Sequence, residues 1–365
     1  MFACANRIIV ERVETDGNEK MIKEARMRAP QRRLRVCLLA WALVWAAAPL
    51  PVAAGGPAGH APIGVMGDHT HHKGETMLSY RYMRMGMAGM RNNDDRVSRS
   101  EVLQDFMVTP ISMDMQMHMF GAMYAPIEKL TVMLMVPFLQ LDMDHRTRAG
   151  TTFKTHSEGL GDITVTALVD LWKHDGHKIH ANLGLSFPSG SITKQDKNPM
   201  SGGAKVRLPY PMQLGSGTYD FLPGLTYNGH SEAWTWGAQV TAEIRLNENH
   251  AGYRLGDEYA LTAWGARELA NWVSASFRLE WLQNVNIRGR DDSSSVNPAV
   301  VPTADPGRQA AMRLDVLAGF NFEVPNGPLS GVRFAVEAGV PAYERLDGPA
   351  LETDWILTVG TQYAF

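Results

Sequence analysis

The sequence predicts an all-β protein, a transmembrane antiparallel up-and-down β-barrel of about twelve strands. Three observations carry that prediction. A basic-then-apolar leader stands near the start, alternating segments of about 10 to 15 residues recur through the rest, and the last thirteen residues form a period-two strand ending on an aromatic side chain. In that last stretch, Thr353 to Phe365, the residues Trp355, Leu357, Val359, Tyr363 and Phe365 share one face with Thr361. Asp354, Thr358, Gly360, Gln362 and Ala364 share the other with Ile356. One face suits lipid and the other water.

The leader spans 27–54. Arg32, Arg33 and Arg35 precede an apolar run from Val36 to Leu50, and Val52-Ala53-Ala54 supplies the small residues of a cleavage site, so removal is expected just before Gly55. Export through the general secretory pathway follows. Residues 1–26 are polar and precede the basic region, which places the expected start at Met27 and makes the earlier residues a mis-assigned start or an extended n-region. The apolar run is about 15 residues, short of the roughly 20 a membrane helix needs, and no later stretch approaches that length. Cys4 and Cys37 both fall in the removed part, which excludes disulfides and thiol catalysis from the mature chain, and Cys37 opens the apolar run, a poor position for a lipid anchor. From Gly55 onward the 35 basic and 38 acidic residues fall to 26 and 33, a formal charge of −7, so nucleic-acid binding has no basic patch to support it.

Residues 55–74 read as a flexible His- and Met-containing segment lying in the periplasm or plugging the lumen, and the barrel as 75–365. Its strands are placed at 75–86, 112–125, 129–143, 159–173, 177–188, 217–228, 233–246, 256–268, 272–285, 309–323, 331–341 and 353–364. The connectors alternate in length. Tight ones at Pro126–Glu128, His174–Gly176, Gly229–Glu232, Leu269–Asn271 and Val324–Ser330 separate longer polar ones around 91–95, 194–199 and 290–295. Short turns on one rim and long loops on the other are the pattern of outer-membrane barrels. Trp172, Trp234, Trp236, Trp272 and Trp281 lie near strand ends, where amphipathic rings suit the headgroup level.

The terminal Phe365, with Tyr363 two residues before it, resembles the signal read by the outer-membrane barrel assembly machinery, which that resemblance makes an expected partner alongside outer-membrane lipid. From roughly residue 100 to the end the chain resembles the outer-membrane transporter family of the meta-pathway of phenol degradation. The resemblance rests on Gly159-Leu160-Gly161-Asp162, Phe187-Pro188-Ser189-Gly190, Leu214-Gly215-Ser216-Gly217-Thr218-Tyr219-Asp220 and Gly256-Asp257, with Ser189 where the family has Thr. It implies a barrel and uptake of hydrophobic or aromatic compounds. Each glycine also suits a tight turn at a strand mouth, and none is followed by a helix that would make a phosphate loop. The stretch from Ala61 to Met85 resembles the amino-terminal part of copper-associated barrel proteins.

Composition adds a chemical theme. Of the 18 methionines after Gly55, 15 fall between Met66 and Met143, with His69, His71, His72, His118 and His145 among them. Thioethers and imidazoles together suit Cu(I) and Ag(I), and imidazole alone suits Cu(II) or Zn(II). The candidate metal ligands are Met66, His69, His71, His72, Met83, Met85, His118, Met133 and Met135, with copper or silver as cargo and no cofactor required. On the strand from Ser112 to Phe120, Met113, Met115, Met117 and Met119 share one face. Thioethers are adequate apolar surface, so these are assigned to lipid, and Asp114, Gln116 and His118 to a polar lumenal row. His174, His177 and His180 span a predicted tight turn and read as solvated turn and strand residues.

The expected role is a passive channel or transporter for a small solute. Copper or silver efflux or sequestration is the first alternative, an outer-membrane lipid hydrolase the second, and a structural or adhesive barrel the third. Hydrolysis needs a Ser, a His and an orienting group in contact. Ser112 and His118 share a face but lie roughly 20 Å apart along a strand, so no enzyme is expected.

Overall fold

A computed structural model describes residues 57–325 and 331–365. The leader at 27–54, residues 1–26, the cleavage point before Gly55 and most of the Val324–Ser330 connector lie outside the described residues.

The described chain forms β1 (Thr76–Asn93), α1 (Arg99–Asp105), β2 (Val108–Ile127), β3 (Leu130–Thr147), β4 (Thr152–Leu160), β5 (Ile163–His174), β6 (His177–Phe187), β7 (Asp220–His230), β8 (Trp234–Arg245), β9 (Glu258–Ala270), β10 (Val273–Asn284), β11 (Ala311–Glu323) and β12 (Val332–Ala364). Neighbours in sequence pair antiparallel, and β12 returns to β1 with Tyr82 opposite Val359, closing the sheet. β12 is two limbs. Residues 333–346 run antiparallel to β11, residues 346–364 run antiparallel to β1, and the chain reverses near Gly348, which adopts φ +82°. β4 and β5 share one pass, pairing with the upper and lower halves of β3. Twelve passes therefore line the wall among the described residues, matching the expected up-and-down barrel in order, although the first strand runs on to Asn93, strand begins at Thr152 rather than 159, and the closing limb starts at 346 rather than 353.

Local chemistry explains the short rim. Asp175 and Gly176 both take positive φ between β5 and β6, the type I′ geometry that matches strand twist, and Asp-Gly is a pair that tolerates it. At the opposite rim α1 is a short helix of seven residues, about two turns. Ser98 Oγ accepts from the Glu101 amide while the Glu101 carboxylate accepts from the Ser98 amide, a reciprocal cap. No helix among the described residues is long and apolar enough to cross a membrane. The outward face is instead an apolar belt contributed by every part of the wall, including Leu78, Phe120, Leu134, Leu183, Leu225, Val240, Leu261, Leu279, Phe334 and Val359. A belt of that kind, running round a closed antiparallel barrel, suits lipid. In the closing strand Trp355, Val359, Tyr363 and Phe365 are exposed while Ile356, Thr358, Gly360 and Gln362 are buried, as the alternation predicts.

The methionines of β2 require a correction. Met113, Met115, Met117 and Met119 stand opposite Met87, Met85, Met83 and Arg81 of β1, and Arg81 Nε donates to the Ile63 carbonyl inside the barrel. Directly paired residues share a face, so these methionines point into the lumen, not into lipid. Asp114, Gln116 and His118, expected as the lumenal row, are on the outer face. There Arg84 pairs with Asp114 at 2.9 Å, the Tyr82 hydroxyl donates to Gln116 at 2.8 Å, and the Tyr80 hydroxyl is 2.8 Å from His118 Nδ1. The reason is length. β2 has 20 residues, about twice the 9–11 that cross a bilayer, so its upper outer face rises above the lipid and has no need to be apolar.

Candidate functional site

Residues 57–75 fill the short-turn end of the lumen as an irregular plug. An irregular backbone inside a barrel must find partners for its amides and carbonyls, and here the wall supplies them from nearly every side. The Pro57 carbonyl accepts from Ser274 of β10, Ala58 from Thr235 of β8, and Ile63 from Arg81 of β1. Met66 accepts from Gln239, Gly67 from His180 of β6 at 2.8 Å, and Asp68 from Asn228 of β7. The His71 amide donates to Thr131 of β3, and Thr70 donates to Asp170 of β5. Arg333 of β12 donates to the Ala61 carbonyl.

At the centre of this seam lies a buried ion pair. Arg278 of β10 donates from Nε to Oε1 of Glu337 on β12 and from Nη2 to Glu337 Oε2, each at 2.9 Å, and the Gly64 amide donates to Oε2 at 3.1 Å. A Cβ at Gly64 would come within 2.3 Å of both Arg278 Nη2 and Glu337 Oε2. Glycine is required there because backbone and ion pair are in direct contact.

Beyond the plug the lumen holds a cavity of about 600 Å³. One wall is sulfur-rich, with Met66, Met119, Met133 and Met135, and other sectors carry Asn182, Glu243, Glu258, Arg313 and Glu344. Met77, Met119, Met123, Met133 and Met135 pack together with Leu168 as one buried cluster against Met66. Further up, Met113 and Met143 pack with Leu208, Met212 and Leu214 of the long loop after β6. The long loops have a small core of their own around Ile192, Tyr210, Tyr253, Ile287 and Val301, and Arg207 grips Asp291 at 2.9 and 3.0 Å. The cavity is bordered by Met66 of the plug and otherwise by the barrel wall.

Among the described residues the wall has a break after β6. β6 ends at Phe187, so above Ile163 the free edge of β4 faces loop rather than strand. Asp162 closes the break by accepting from the Gly190 amide at 2.8 Å, the Ser216 amide at 2.7 Å and Ser216 Oγ at 2.9 Å. Ser189 Oγ accepts from the Ile163 amide and donates to the Gly161 carbonyl. Three sequence motifs thus meet at one point. A Cβ on Gly190 would sit 2.6 Å from the Leu214 carbonyl, which explains why two backbones in contact need glycine.

The candidate metal ligands separate into distinct places. Met66, Met133 and Met135 border the cavity, and Met83 and Met85 lie on the same inner face, where Arg313 approaches Met85 sulfur at 3.9 Å. His118 is outside, and His72 is exposed and bonded to Glu128 at 2.8 Å. His69 and His71 lie in the plug with His60 and Asp68, which the sequence reading passed over. Burial holds His60 well below the usual imidazole range and brings His71 down to about 4, with the neighbouring His69 acting in the same direction. His180, expected as solvated, is fully buried on a plug carbonyl. The missed residues shared one legible signal, since polar residues at lumenal parity near the short turns must have had something to bind. Ser112 Oγ donates to Asp144 at 3.3 Å and is not joined to His118.

The sequence matches a family described as "Putative MetA-pathway of phenol degradation" over residues 112–337, more than half of the chain. Among curated proteins no sequence matches. Among solved structures the chain is similar to an outer-membrane channel from Pseudomonas putida F1, at 14% identity and TM-score 0.54, covering 82% of this chain and 98% of that one. The transport unit of the autotransporter AIDA-I from Escherichia coli aligns at 10% identity and TM-score 0.48, over 84% and 95% of the two chains. Only the first bears on the fold, and it supports the same closed antiparallel barrel.

Proposed function

The chain belongs to this phenol meta-pathway family, and from its plugged lumen we propose that it is an outer-membrane channel passing small, partly apolar solutes by passive diffusion with transient lumenal binding. The carrying observation is the cavity of about 600 Å³ in the lumen beside the plug, with thioethers on one side and carboxylates, Asn182 and Arg313 on the other. That volume and mixture suit a single-ring aromatic bearing a polar group, in line with the family description. The barrel has no energy-coupling module among its described residues, so opening is a matter of plug displacement. Export by the leader at 27–54, insertion through the terminal strand ending at Phe365 and solvation by outer-membrane lipid complete the reading.

Reconstitution in liposomes tests it. Swelling in phenol or benzoate should exceed swelling in a disaccharide, and deletion of 57–70 should raise both. Equal, size-independent impermeability in the deleted form would refute the channel.

A second reading has its own observation. The inward methionines on β1, β2 and β3 form two sulfur-rich clusters, one around Met77, Met119 and Met133 and one around Met113 and Met143, and soft ions such as Cu(I) or Ag(I) favour thioethers. Conductance blocked by low silver, and rescued when Met83, Met85, Met133 and Met135 become Leu, would favour it. Conductance indifferent to silver would leave the sulfurs as apolar lining.

A further inference from the structure

We propose that His60 and His69, with His71 beside them, form a binding site for one divalent transition ion, Zn(II) or Cu(II), built into the plug. The cavity it borders shares no lining residue with the methionine-lined one. The ligand atoms of His60, Asp68 and His69 fall within 4.8 Å of one another. The rings of His60 and His69 are 4.6 Å apart and those of His69 and His71 4.9 Å apart.

The protonation pattern is that of a prepared site. Asp68 accepts from the Ala61 amide at 3.0 Å, which fixes its carboxylate, and its other oxygen is 2.9 Å from His69 Nδ1. That bond places the His69 proton on Nδ1 and leaves Nε2 as the lone-pair donor, the arrangement in which a carboxylate orients a metal-binding imidazole. His71 makes the analogous contact with Glu75 through Nδ1 at 3.4 Å. His60 Nδ1, His69 Nε2 and His71 Nε2 are all buried with no hydrogen-bond partner. Three buried imidazole nitrogens without partners in one small segment are costly without a ligand, and imidazole nitrogens are good donors for Zn(II) and Cu(II).

An access route is present. A cavity of about 330 Å³ touches His60, Asp68 and His69 and runs to the short-turn rim at Gly176, Ser231 and Glu232, so an ion arrives from that side with water completing its shell. The ligands come from both ends of the plug's turn, before and after Gly64 and Gly67. A bound ion therefore staples the segment in its docked shape. That consequence rests on the plug being the closure of the channel, whereas the site itself does not.

The test uses the full, tag-free chain folded in detergent, titrated with Co(II) as the spectroscopic probe and then with Zn(II) as competitor at pH 7.5. One saturable equivalent of Co(II) with visible d–d absorption, displaced by Zn(II), is expected. His69→Ala and the more conservative His60→Gln should each weaken binding at least tenfold, while His72→Ala should leave it unchanged. Heat-modifiable gel mobility confirms that each variant retains the folded barrel. Absence of a saturable Co(II) spectrum, or a spectrum indifferent to His60 and His69, overturns the site. Bilayer conductance is read separately. Zn(II) binding with no effect on the current overturns the staple and leaves the site, and a current in the 57–70 deletion with no Co(II) binding by the parent overturns the site and leaves the channel.

Discussion

Gly64 is where the plug is most sensitive to a single atom. A side chain there meets Arg278 Nη2 and Glu337 Oε2 at 2.3 Å from its first carbon, so ordinary contact requires a displacement of about 1 Å. Arg278 and Glu337 hold each other at 2.9 Å within the wall and are both almost fully buried. Breaking that pair costs about 3–5 kcal/mol, more than lifting the plug locally, so the plug yields. The loss is the charge-assisted bond from the Gly64 amide to Glu337, about 1.5–3 kcal/mol, together with overpacking of about 1–3 kcal/mol. The two together come to about 2.5–6 kcal/mol, and even about 3 kcal/mol shifts the docked-to-undocked ratio roughly a hundredfold. In planar bilayers Gly64→Val should therefore raise open-state occupancy strongly while heat-modifiable mobility stays that of the parent, and Gly64→Ala should do so less. A folded Gly64→Val barrel with the parent's conductance would refute the assignment of the plug as the closure.

Acid should act on the same equilibrium. The docked plug keeps His71 neutral down to about pH 4, whereas an undocked imidazole titrates near 6.5, so the undocked state takes up more protons in that window. Docking is then fully stable above pH 6.5 and weakens as pH falls toward 4, with a contribution of about 3 kcal/mol from His71 and a further one of the same sign from His60. Open-state occupancy should be higher at pH 5 than at pH 7.5, and a flat profile would contradict this. Asp162→Ala removes the acceptor for the Gly190 and Ser216 amides and Ser216 Oγ, at about 1–3 kcal/mol for each donor left buried. Amide exchange at 189–191 and 215–217 should accelerate in that variant, and unchanged protection would show that the wall break is held by other contacts. Deleting Phe365 removes the paired bonds between its backbone and Thr76 and an outward ring stacked on Tyr363. Surface levels in cells should fall several-fold while the detergent-folded barrel remains stable, and unchanged levels would remove the terminal residue from the assembly signal.

Much of the wall was legible in the chain because strand alternation and turn chemistry are local. All twelve predicted segments correspond to passes of the barrel, and Asp175-Gly176 announced its hairpin by composition alone. The closing strand faced as expected because Trp355, Val359 and Tyr363 leave no doubt about which side is apolar. Period two, however, fixes only which residues travel together. It does not say which face turns inward when both alternatives are plausible surface. On β2 one face carries Met113 to Met119 and the other Asp114, Gln116 and His118, and the decision came from pairing with β1, where Arg81 is bound to a plug carbonyl. The site was less legible for the same reason. His60 and His69 are nine residues apart, Asp162 meets Gly190 and Ser216 across long loops, and Arg278 meets Glu337 across the sheet. Local sequence determined the strands, their turns and the closing aromatic end. Lumen contents, wall break and histidine cluster were decided by tertiary structure, because only the closed barrel brings those distant polar groups into a space where each must find a partner.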